Sequence, residues 1–353
     1  DRKPDRLAEK AKKHGVTQTC AAADEVLARR DIDSVAIFVP RHVHGPLVIG
    51  ALKAGKHVYS AVPTANTVEE IREIVTLVEQ TRRIYMIGET CYYFPCAMFC
   101  RKALRSGRLG TFVYGEAQYY HDISEFIPYY QREEGERWQR VAGLPPFHYP
   151  THSTAMLISA ADDYAVRVVG MGYRDHGSDG IYGPGRNDWD NPFSNETMLV
   201  TLSRGGIGRI NEFRRIGTRR PSSYITCFYG DKGAYEMASR HHVLQEIHPG
   251  APTTLTDVSA EVNSTLFEQE RGLPDYYQRS LNAKYDGGFS RIHNVARLPR
   301  EFAGLTGFQQ NGSHPFLVDD FAKAVTENRL PPNHVWAAAR YMLPGLLGHE
   351  SAM

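Results

Sequence analysis

Residues 34–63, SVAIFVPRHVHGPLVIGALKAGKHVYSAVP, contain the pattern that decides the fold. The β-branched run at residues 34–39 predicts a strand that is buried on both faces of a parallel sheet, and the proline after it ends the strand. Residues 46–54 predict a helix that a glycine ends, and residues 57–60 predict a second short strand. A strand, a helix and a strand in this order predict a βαβ unit.

The same alternation continues along the chain. Thr67 predicts a helix start, with Glu69 and Glu70 in the first turn, where negative charge suits the helix dipole. Residues 84–87 predict a third strand. We therefore predict a doubly wound, Rossmann-type parallel sheet in a first domain at residues 1–110.

The glycine-rich phosphate loop that normally opens such a sheet is missing from the expected place. No G-x-G-x-x-G follows a predicted strand, and the glycines at residues 205–208 lie in a predicted hairpin turn. Two explanations remain open: the protein binds no dinucleotide, or the first strand, its glycine turn and the first helix lie upstream of Asp1. The close match of the downstream units to a known pattern favours the second explanation.

The pattern changes after about residue 110, where strand-like runs follow one another without regular helices between them. These runs lie at residues 112–120, 165–173, 197–202, 208–213 and 224–229. Together with their glycine-containing turns, they predict an open, mostly antiparallel β-sheet in a second domain, residues 111–353. Residues 251–306 are predicted as long loops, and residues 316–326 and 335–347 as helices.

Charge and composition exclude several classes of protein. The 353 residues include 41 Lys and Arg against 40 Asp and Glu, and this net charge of +1 argues against nucleic-acid and membrane-surface proteins. No apolar run of about 18 residues predicts a membrane-spanning helix. The five cysteines suit no disulfide framework, and the spacing of Cys91, Cys96 and Cys100 suits no zinc site, so no metal is predicted. A cytoplasmic location is favoured, and export through an upstream signal stays open.

Four segments carry a family pattern. They are Val39-Pro40 followed by His44, ALKAGKHV at residues 51–58, GRLG at residues 107–110 and HPFLVDDF at residues 314–321. These segments resemble the Gfo/Idh/MocA oxidoreductase family. The resemblance implies a Rossmann domain that holds NAD or NADP, and an open β-sheet that forms a sugar site. The cofactor-lining residues that it implies are Asp1, near the adenosine ribose, and Val39, Pro40, His44, Ala61, Val62, Pro63 and Glu89.

One position departs from the ordinary dehydrogenases of this family. Those enzymes have Glu-Lys-Pro after the second of these strands, and the lysine helps remove the hydroxyl proton as the hydride leaves. This chain has Ala61-Val62-Pro63 there, and valine neither accepts nor donates a proton. The Val-Pro, Tyr119-Tyr120-His121-Asp122 and Tyr149-Pro150-Thr151-His152 instead resemble the NAD-dependent glycosidases of glycoside hydrolase family 109, which α-N-acetylgalactosaminidase typifies.

The resemblance implies that Tyr119, His121, Tyr149 and His152 are catalytic. Spacing agrees with this, because residues 119 and 121 share one face of a strand. His152 falls in the first turn of a predicted helix, whose positive end disfavours imidazolium and suits a neutral general base. Tyr149 and His152 are assigned to the C3 hydroxyl and C2 proton of the sugar. Tyr119 and His121 are assigned to C2 deprotonation or to protonation of the leaving group.

The implied reaction is hydrolysis of a glycosidic bond by elimination. NAD+ oxidises C3, the ketone acidifies the C2 hydrogen, the group at C1 leaves, water adds, and the ketone is reduced again. The residues expected to contact the small-molecule glycoside are Asn195, Arg209, Asn211 and Trp189. The sugar, its anomeric form and the aglycone stay open. A homodimer or homotetramer is expected, because an exposed antiparallel sheet face often mediates assembly.

Two alternatives remain open from the sequence. The first is an NAD(P)-dependent sugar or polyol dehydrogenase of the same family, which Val62 argues against. The second is a non-catalytic sugar-binding protein on the same fold, which the missing glycine loop supports. Accumulation of NADH with a free sugar would indicate the first, and tight sugar binding without exchange at C2 would indicate the second.

Overall fold

The structure of the protein is a computed structural model, which describes residues 3–217, 224–238, 241–263, 288–303 and 310–353. Its helices are α1 (Pro4–His14), α2 (Ala23–Leu27), α3 (His44–Lys53), α4 (Val68–Thr81), α5 (Pro95–Arg105), α6 (Ile127–Glu134), α7 (Trp138–Ala142), α8 (Thr151–Ala161), α9 (Ser259–Val262), α10 (Arg300–Ala303), α11 (Ser313–Thr326) and α12 (Val335–Ala352). Its strands are β1 (Ser34–Ile37), β2 (His57–Ser60), β3 (Tyr85–Ile87), β4 (Phe112–Tyr120), β5 (Ala165–Arg174), β6 (Phe193–Leu202), β7 (Ile207–Phe213), β8 (Tyr224–Gly230), β9 (Gly233–Ala238), β10 (His241–Glu246) and β11 (Thr254–Asp257). Among the helices in these ranges, none has the length and apolar character needed to span a bilayer.

A parallel sheet in the order β1-β2-β3 forms the centre of the first domain. Val35 pairs with Val58, and Tyr59 pairs with Met86. α3 connects β1 to β2 and α4 connects β2 to β3, which gives two consecutive βαβ units. Leu52 and Val58, both fully buried, pack between the sheet and these helices. The predicted Rossmann-type parallel sheet is therefore confirmed.

The first strand differs from its prediction. β1 ends at Ile37, and within the described ranges only β2 pairs with it. Ala36 is exposed, and Phe38 is 71% exposed. The prediction that residues 34–39 form a strand buried on both faces is therefore wrong. β-branched residues favour an extended backbone, whereas their burial depends on which elements pack beside them.

The second domain contains an eight-stranded sheet, as far as the structure describes it, in the order β11-β10-β9-β8-β4-β7-β6-β5. Neighbouring strands are antiparallel except for β4 and β7, which run parallel. The predicted open, mostly antiparallel sheet is confirmed. Residues 251–306, predicted as loops, contain β11, α9 and α10, and the rest of that stretch lies partly outside the described residues.

Among the described residues, helices cover one face of the second sheet and leave the other face open. α8 and α12 pack on the covered face, and α5 packs on α8. The core beneath them contains the fully buried side chains of Phe147, Leu157 and Phe228. On the opposite face Met171 is 73% exposed and Leu199 is 50% exposed.

α8 joins the cores of the two domains. Ala155 and Ile158 pack in the core of the first domain, whereas Met156 and Leu157 pack in the core of the second. Because α8 is held on both sides, its first turn has a fixed position where the two sheets meet. That turn carries His152.

Candidate active site

The carboxyl ends of the three parallel strands bring most of the predicted cofactor residues to one edge of the first sheet. Residues 39–40 follow β1, residues 61–63 follow β2, and Glu89 follows β3. His44, at the start of α3, is buried, and its Nε2 lies 3.0 Å from the carbonyl oxygen of Val39. Burial lowers the pKa of His44, so its neutral ring fixes the turn after β1.

The two tyrosine-histidine motifs meet at one place. The ring centroids of Tyr119 and His152 are 4.9 Å apart, those of Tyr149 and His152 are 5.2 Å apart, and those of Tyr119 and His121 are 5.1 Å apart. Tyr149 Oη lies 3.2 Å from His152 Nε2, and the Tyr119 hydroxyl is hydrogen bonded to His121 Nδ1. The structure thus brings together the four residues that the sequence proposes as catalytic, which we call the Tyr/His quartet.

Glu89 is the partner of His152. Its Oε1 lies 2.8 Å from His152 Nδ1 and accepts a hydrogen bond of 2.8 Å from the backbone N–H of Cys91. Burial acts to raise the pKa of Glu89, but the charge and hydrogen bond of His152 lower it overall. An ionised Glu89 holds a proton on Nδ1 and leaves Nε2 facing Tyr149. The sequence gives no sign of this pairing, because the two residues are 63 positions apart.

Two charged residues beside the quartet were not predicted. Glu212 lies opposite Tyr119 in the register of β4 and β7, and it accepts hydrogen bonds from Ser153 Oγ and, at 2.9 Å, from Arg214 Nη2. Burial raises the pKa of Glu212 to about 7, against the lowering effects of Arg214 and Ser153. The alternation of side chains along β7 could have identified Glu212, since it follows the predicted Asn211 and must face the other side.

A cavity of about 150 Å³ opens beside the quartet, and both domains contribute to its wall. The wall includes Val39, Pro40 and Arg41 from the first domain and Tyr119, His121, Tyr149, Trp189 and Arg214 from the second. Trp189, predicted to contact the sugar, therefore lies at this cavity. His152 is buried next to the wall and contacts Tyr149, which lines it. Glu89 is buried behind His152 and contacts that residue.

Arg209 and Asn211 do not reach this cavity, contrary to expectation. Arg209 Nη2 lies 2.5 Å from Glu116 Oε2, and Asn211 Nδ2 donates to Gln118 Oε1 at 3.2 Å. Tyr119 alternates with Glu116 and Gln118 along β4 and faces the other way. Both predicted sugar contacts thus point to the face of the sheet that lies away from the quartet.

Asn195 also acts elsewhere than at the cavity. Its Oδ1 accepts hydrogen bonds from the backbone N–H groups of Arg214 and Arg215, both at 2.9 Å, and its Nδ2 donates to the Arg215 carbonyl at 2.8 Å. These bonds hold the backbone after β7. Asn195 therefore positions Arg214 in the cavity wall and does not itself line the wall.

One group of potential metal ligands occurs in the described part of the chain. The ligand atoms of Glu89, Cys91 and His152 all lie within 4.8 Å of one another. Burial, together with the charge of Glu89, raises the pKa of Cys91 well above its ordinary value. A protonated thiol is a poor metal ligand, so the donor set does not favour a metal.

Residues 1–89 match the family model described as "Oxidoreductase family, NAD-binding Rossmann fold". These residues form a Gfo/Idh/MocA domain. The match confirms the resemblance seen in the sequence for this part of the chain, and it confirms NAD as the cofactor of the domain type. The Gfo/Idh/MocA domain includes β1, β2 and β3, and the residues that follow β1 line the cavity.

Curated relatives are similar over parts of the chain. A glycosyl hydrolase family 109 protein of Saccharopolyspora erythraea is 26% identical over 241 residues, which cover 64% of this chain and 51% of that protein. The α-N-acetylgalactosaminidase of Shewanella oneidensis is 36% identical over 99 residues, which cover 28% of this chain and 22% of that protein. The chain thus spans about half the length, or less, of these curated relatives.

Solved structures match the fold over the whole chain. Levoglucosan dehydrogenase in complex with NADH and levoglucosan has a TM-score of 0.72 and 17% identity, and the match covers 100% of this chain and 86% of that chain. An oxidoreductase from Agrobacterium radiobacter, in complex with NAD+, L-tartaric acid and magnesium, has a TM-score of 0.69 and 14% identity, with 100% and 87% covered. The fold of this chain is therefore the one that these two structures have.

The residues at the carboxyl edge of the Gfo/Idh/MocA domain lie where a sheet of this type binds its ligand. Open α/β sheets bind ligands in the crevice at the carboxyl ends of their strands. Here Val39 and Pro40 line the cavity that Tyr119 and Tyr149 also line. Asp1, expected near the adenosine ribose, lies outside the described residues.

Proposed function

We propose that the protein is an NAD-dependent glycoside hydrolase that acts through transient oxidation of its sugar. The observation that carries this proposal is the contact sequence Glu89–His152–Tyr149, which ends at the cavity beside the NAD-binding domain. Val62 supports it, because no proton-transferring side chain stands where the dehydrogenases have lysine. The relatives named glycosyl hydrolase family 109 protein and α-N-acetylgalactosaminidase support it as well.

Tyr149 and His152 would handle the proton of the C3 hydroxyl. Bound NAD+ supplies a reversible hydride acceptor for C3. Burial raises the pKa of Tyr149, so its phenol stays protonated and acts by passing a proton on. Tyr149 takes the C3 hydroxyl proton while its own proton moves to His152 Nε2, 3.2 Å away. The Glu89 carboxylate then stabilises the imidazolium.

Tyr119 and His121 would handle the elimination. The C3 ketone acidifies the C2 hydrogen, and His121 takes that proton as the C1–O bond breaks. The same proton passes through the Tyr119 hydroxyl, which is hydrogen bonded to His121 Nδ1, to the leaving oxygen. Water then adds to C1, C2 regains a proton, and C3 is reduced. The His121 side chain is 24% exposed and its Nε2 lies 3.5 Å from Glu125 Oε2, so solvent can exchange its proton and a carboxylate can stabilise its charged form.

A sugar dehydrogenase on the same fold is the second candidate. The structural match to levoglucosan dehydrogenase favours it. In that case the oxidised sugar leaves, and NADH accumulates in proportion to the sugar consumed. Under the hydrolase proposal each catalytic cycle restores NAD+, so NADH does not accumulate.

We also propose that a second copy of this chain covers the open face of the second sheet. Val169, Met171 and Leu199 are exposed there at 48%, 73% and 50%. The ion pair between Glu116 and Arg209 lies on the same face. A face that combines apolar side chains with charges of both signs can be complementary to itself, as a two-fold interface requires.

A panel of glycosides with added NAD+ tests the hydrolase proposal. We expect release of aglycone without accumulation of NADH. His152→Ala should lower the rate by about 100-fold or more, because general acid–base groups contribute on the order of 10²–10⁴. NAD+ binding should persist, since His152 is buried beside the cavity wall.

His176→Ala provides the matched control, because His176 is an exposed histidine outside the cavity wall. It should keep the wild-type rate. Unchanged turnover in His152→Ala would remove His152 from the mechanism. Stoichiometric NADH with free sugars, and no aglycone release from any glycoside, would establish the dehydrogenase instead.

A further inference from the structure

Arg41 is a cationic side chain in the cavity wall that makes no ion pair within the described ranges of the chain. It follows Pro40, and its guanidinium carbon lies 5.0 Å from the ring centroid of Tyr149 and 5.6 Å from that of Tyr130. No described side chain accepts a hydrogen bond from its guanidinium. Burial lowers the pKa of Arg41, as expected for a charge moved out of water without a carboxylate to compensate.

Arg214 places a second guanidinium over the same ring, 5.9 Å from the Tyr149 centroid. Arg214 already has a carboxyl partner, because its Nη2 lies 2.9 Å from Glu212 Oε2. Glu134 also lies in the wall and has interactions of its own, but no ion pair joins it to Arg41. Two guanidinium groups therefore lie near the ring of Tyr149. Glu212 is the hydrogen-bond partner of Arg214, and Arg41 has no such carboxyl partner among the described residues.

An arginine in this setting is suited to a planar anion. Its rigid fork of N–H donors matches carboxylate and phosphate oxygens in a bidentate geometry. The aromatic rings hold the guanidinium flat without using its donors. A charge left without a partner in a partly buried wall is costly unless a ligand supplies the opposite charge. The geometry indicates a ligand with an anionic group.

We propose that Arg41 binds an anionic substituent on the sugar, so that the preferred substrates are glycosides of acidic sugars, with a hexuronic acid as the simplest case. The inference rests on the proposed function, which places the sugar in this cavity. Tyr149 handles the C3 hydroxyl at its phenol end, and Arg41 covers the face of the same ring. One sugar ring is therefore enough to bring its acidic group to Arg41 and its C3 to Tyr149.

The diphosphate of NAD is another source of the same anionic chemistry. Two features favour the sugar: Arg41 contacts Tyr149 of the quartet, and its other ring contact, Tyr130, also lines the cavity. The two sources predict different effects of one substitution. Loss of a sugar contact changes the preference between acidic and neutral sugars, whereas loss of a diphosphate contact weakens NAD+ binding.

The test compares wild type with Arg41→Gln on matched 4-nitrophenyl glycosides in both anomeric forms, namely glucuronide against glucoside and galacturonide against galactoside. A hexose 6-sulfate glycoside is included as a second anionic sugar. We expect wild type to prefer the acidic member of a pair by about 10- to 100-fold in kcat/KM, the range for a hydrogen bond to a charged group. Arg41→Gln should reduce this ratio to near unity, and Arg41→Lys should retain part of it. Arg340→Gln, at an exposed arginine, should keep the wild-type ratio.

Calorimetric titration of free hexuronate and free hexose into the NAD-loaded protein gives a readout that needs no turnover. If wild type binds the hexuronate more tightly than the hexose and Arg41→Gln does not, the inference is supported. This holds even if no glycoside is hydrolysed, because absence of hydrolysis would refute only the hydrolase proposal. Hydrolysis with equal rates on acidic and neutral pairs overturns the inference and leaves the hydrolase proposal intact. Equal or absent binding of acid and hexose also overturns it. Weaker NAD+ binding in Arg41→Gln with an unchanged acid preference assigns Arg41 to the cofactor and likewise overturns it.

Discussion

In the proposed mechanism, the negative charge of Glu89 stabilises the protonated form of His152. Glu89→Gln keeps the shape of the side chain and an acceptor for the Cys91 N–H, but it removes the carboxylate 2.8 Å from His152 Nδ1. We expect kcat for glycoside hydrolysis to fall by about 100-fold or more, because the imidazolium formed during proton transfer loses its counter-charge. NAD+ affinity, measured by titration, should stay within a few-fold of wild type.

Glu73→Gln is the control for that variant, because Glu73 pairs with Lys53 on the surface and does not line the cavity. It should behave as wild type. A Glu89→Gln protein with an unchanged kcat would show that His152 works without the carboxylate, and the relay through Tyr149 would have to be abandoned.

Glu212 should make the stability of the protein depend on pH. Burial raises its pKa from 4.5 to about 7, so the folded protein binds this proton more tightly than the unfolded chain does. The stabilisation is complete below about pH 4.5 and is lost as the pH rises through 7, a change of about 3 kcal/mol. In Glu212→Gln this pH dependence should disappear. Urea unfolding of both proteins at pH 5 and pH 8 measures it, and parallel pH profiles for the two proteins would contradict the assignment.

Sequence motifs located the Tyr/His quartet but not the charges around it. Tyr119, His121, Tyr149 and His152 were found because each pair is local in sequence. The pairing of His152 with Glu89 depends on how β3 and α8 pack. The spacing of residues within a short sequence motif does not indicate this packing.

The first turn of α8 owes its position to close packing against α12. A Cβ at Gly345 would lie 2.4 Å from Pro150 Cγ and 2.5 Å from the Phe147 carbonyl oxygen. Gly345→Ala must therefore push the segment that precedes His152. We expect a loss of about 1–3 kcal/mol in unfolding free energy, the usual cost of overpacking, together with a reduced kcat.

Leu347→Ala, on the same helix, is the matched control, because Leu347 is 44% exposed. It should change stability by no more than roughly 0.5 kcal/mol and leave kcat as it is. Denaturant unfolding and glycoside hydrolysis are measured on both variants. Equal effects of the two substitutions would show that α12 does not set the position of α8.

The bounds of a strand were predictable where the apolar pattern of its sequence agreed with the burial of its side chains in the fold. β2 and β4 have the bounds that the sequence predicts, because their side chains are buried in the way that their apolar patterns predict. β1 is shorter and more exposed than its apolar run suggests, since a neighbour on its outer edge does not appear in the described residues. Arg209 and Asn211 lie on the face of β7 opposite to Glu212, and the sequence alone does not indicate which of the two faces meets the cavity.

The open face of the second sheet should determine how copies of the molecule associate. Met171→Glu places a charge at a side chain that is 73% exposed in the centre of the apolar part of that face. If a second copy covers it, burying the charge should weaken self-association by about tenfold or more, because an unpaired buried charge is costly. Sedimentation velocity over a concentration series measures the change.

Val318→Glu is the control for association, because Val318 is 48% exposed on α11, outside the sheet. It should sediment as wild type does. A wild-type protein that stays monomeric over the series, or a Met171→Glu protein that associates as well as wild type, would contradict the proposed interface.

The architecture of the molecule was more predictable than its chemistry. Alternating strands and helices, followed by strands with tight turns, indicate the two domains, and the matched structures have the same fold. The meeting of the domains at α8 could not be predicted, because it depends on which side chains each core accepts. The cavity and the charged side chains in its wall form where the two domains come together.

Hydrolysis in deuterium oxide tests the central claim most directly. The protein with NAD+ is given the glycoside that it cleaves fastest, and the released sugar is examined by NMR and mass spectrometry. Elimination through a C3 ketone predicts deuterium at C2 of the product, with no accumulation of NADH. Aglycone release with hydrogen fully retained at C2 would contradict transient oxidation.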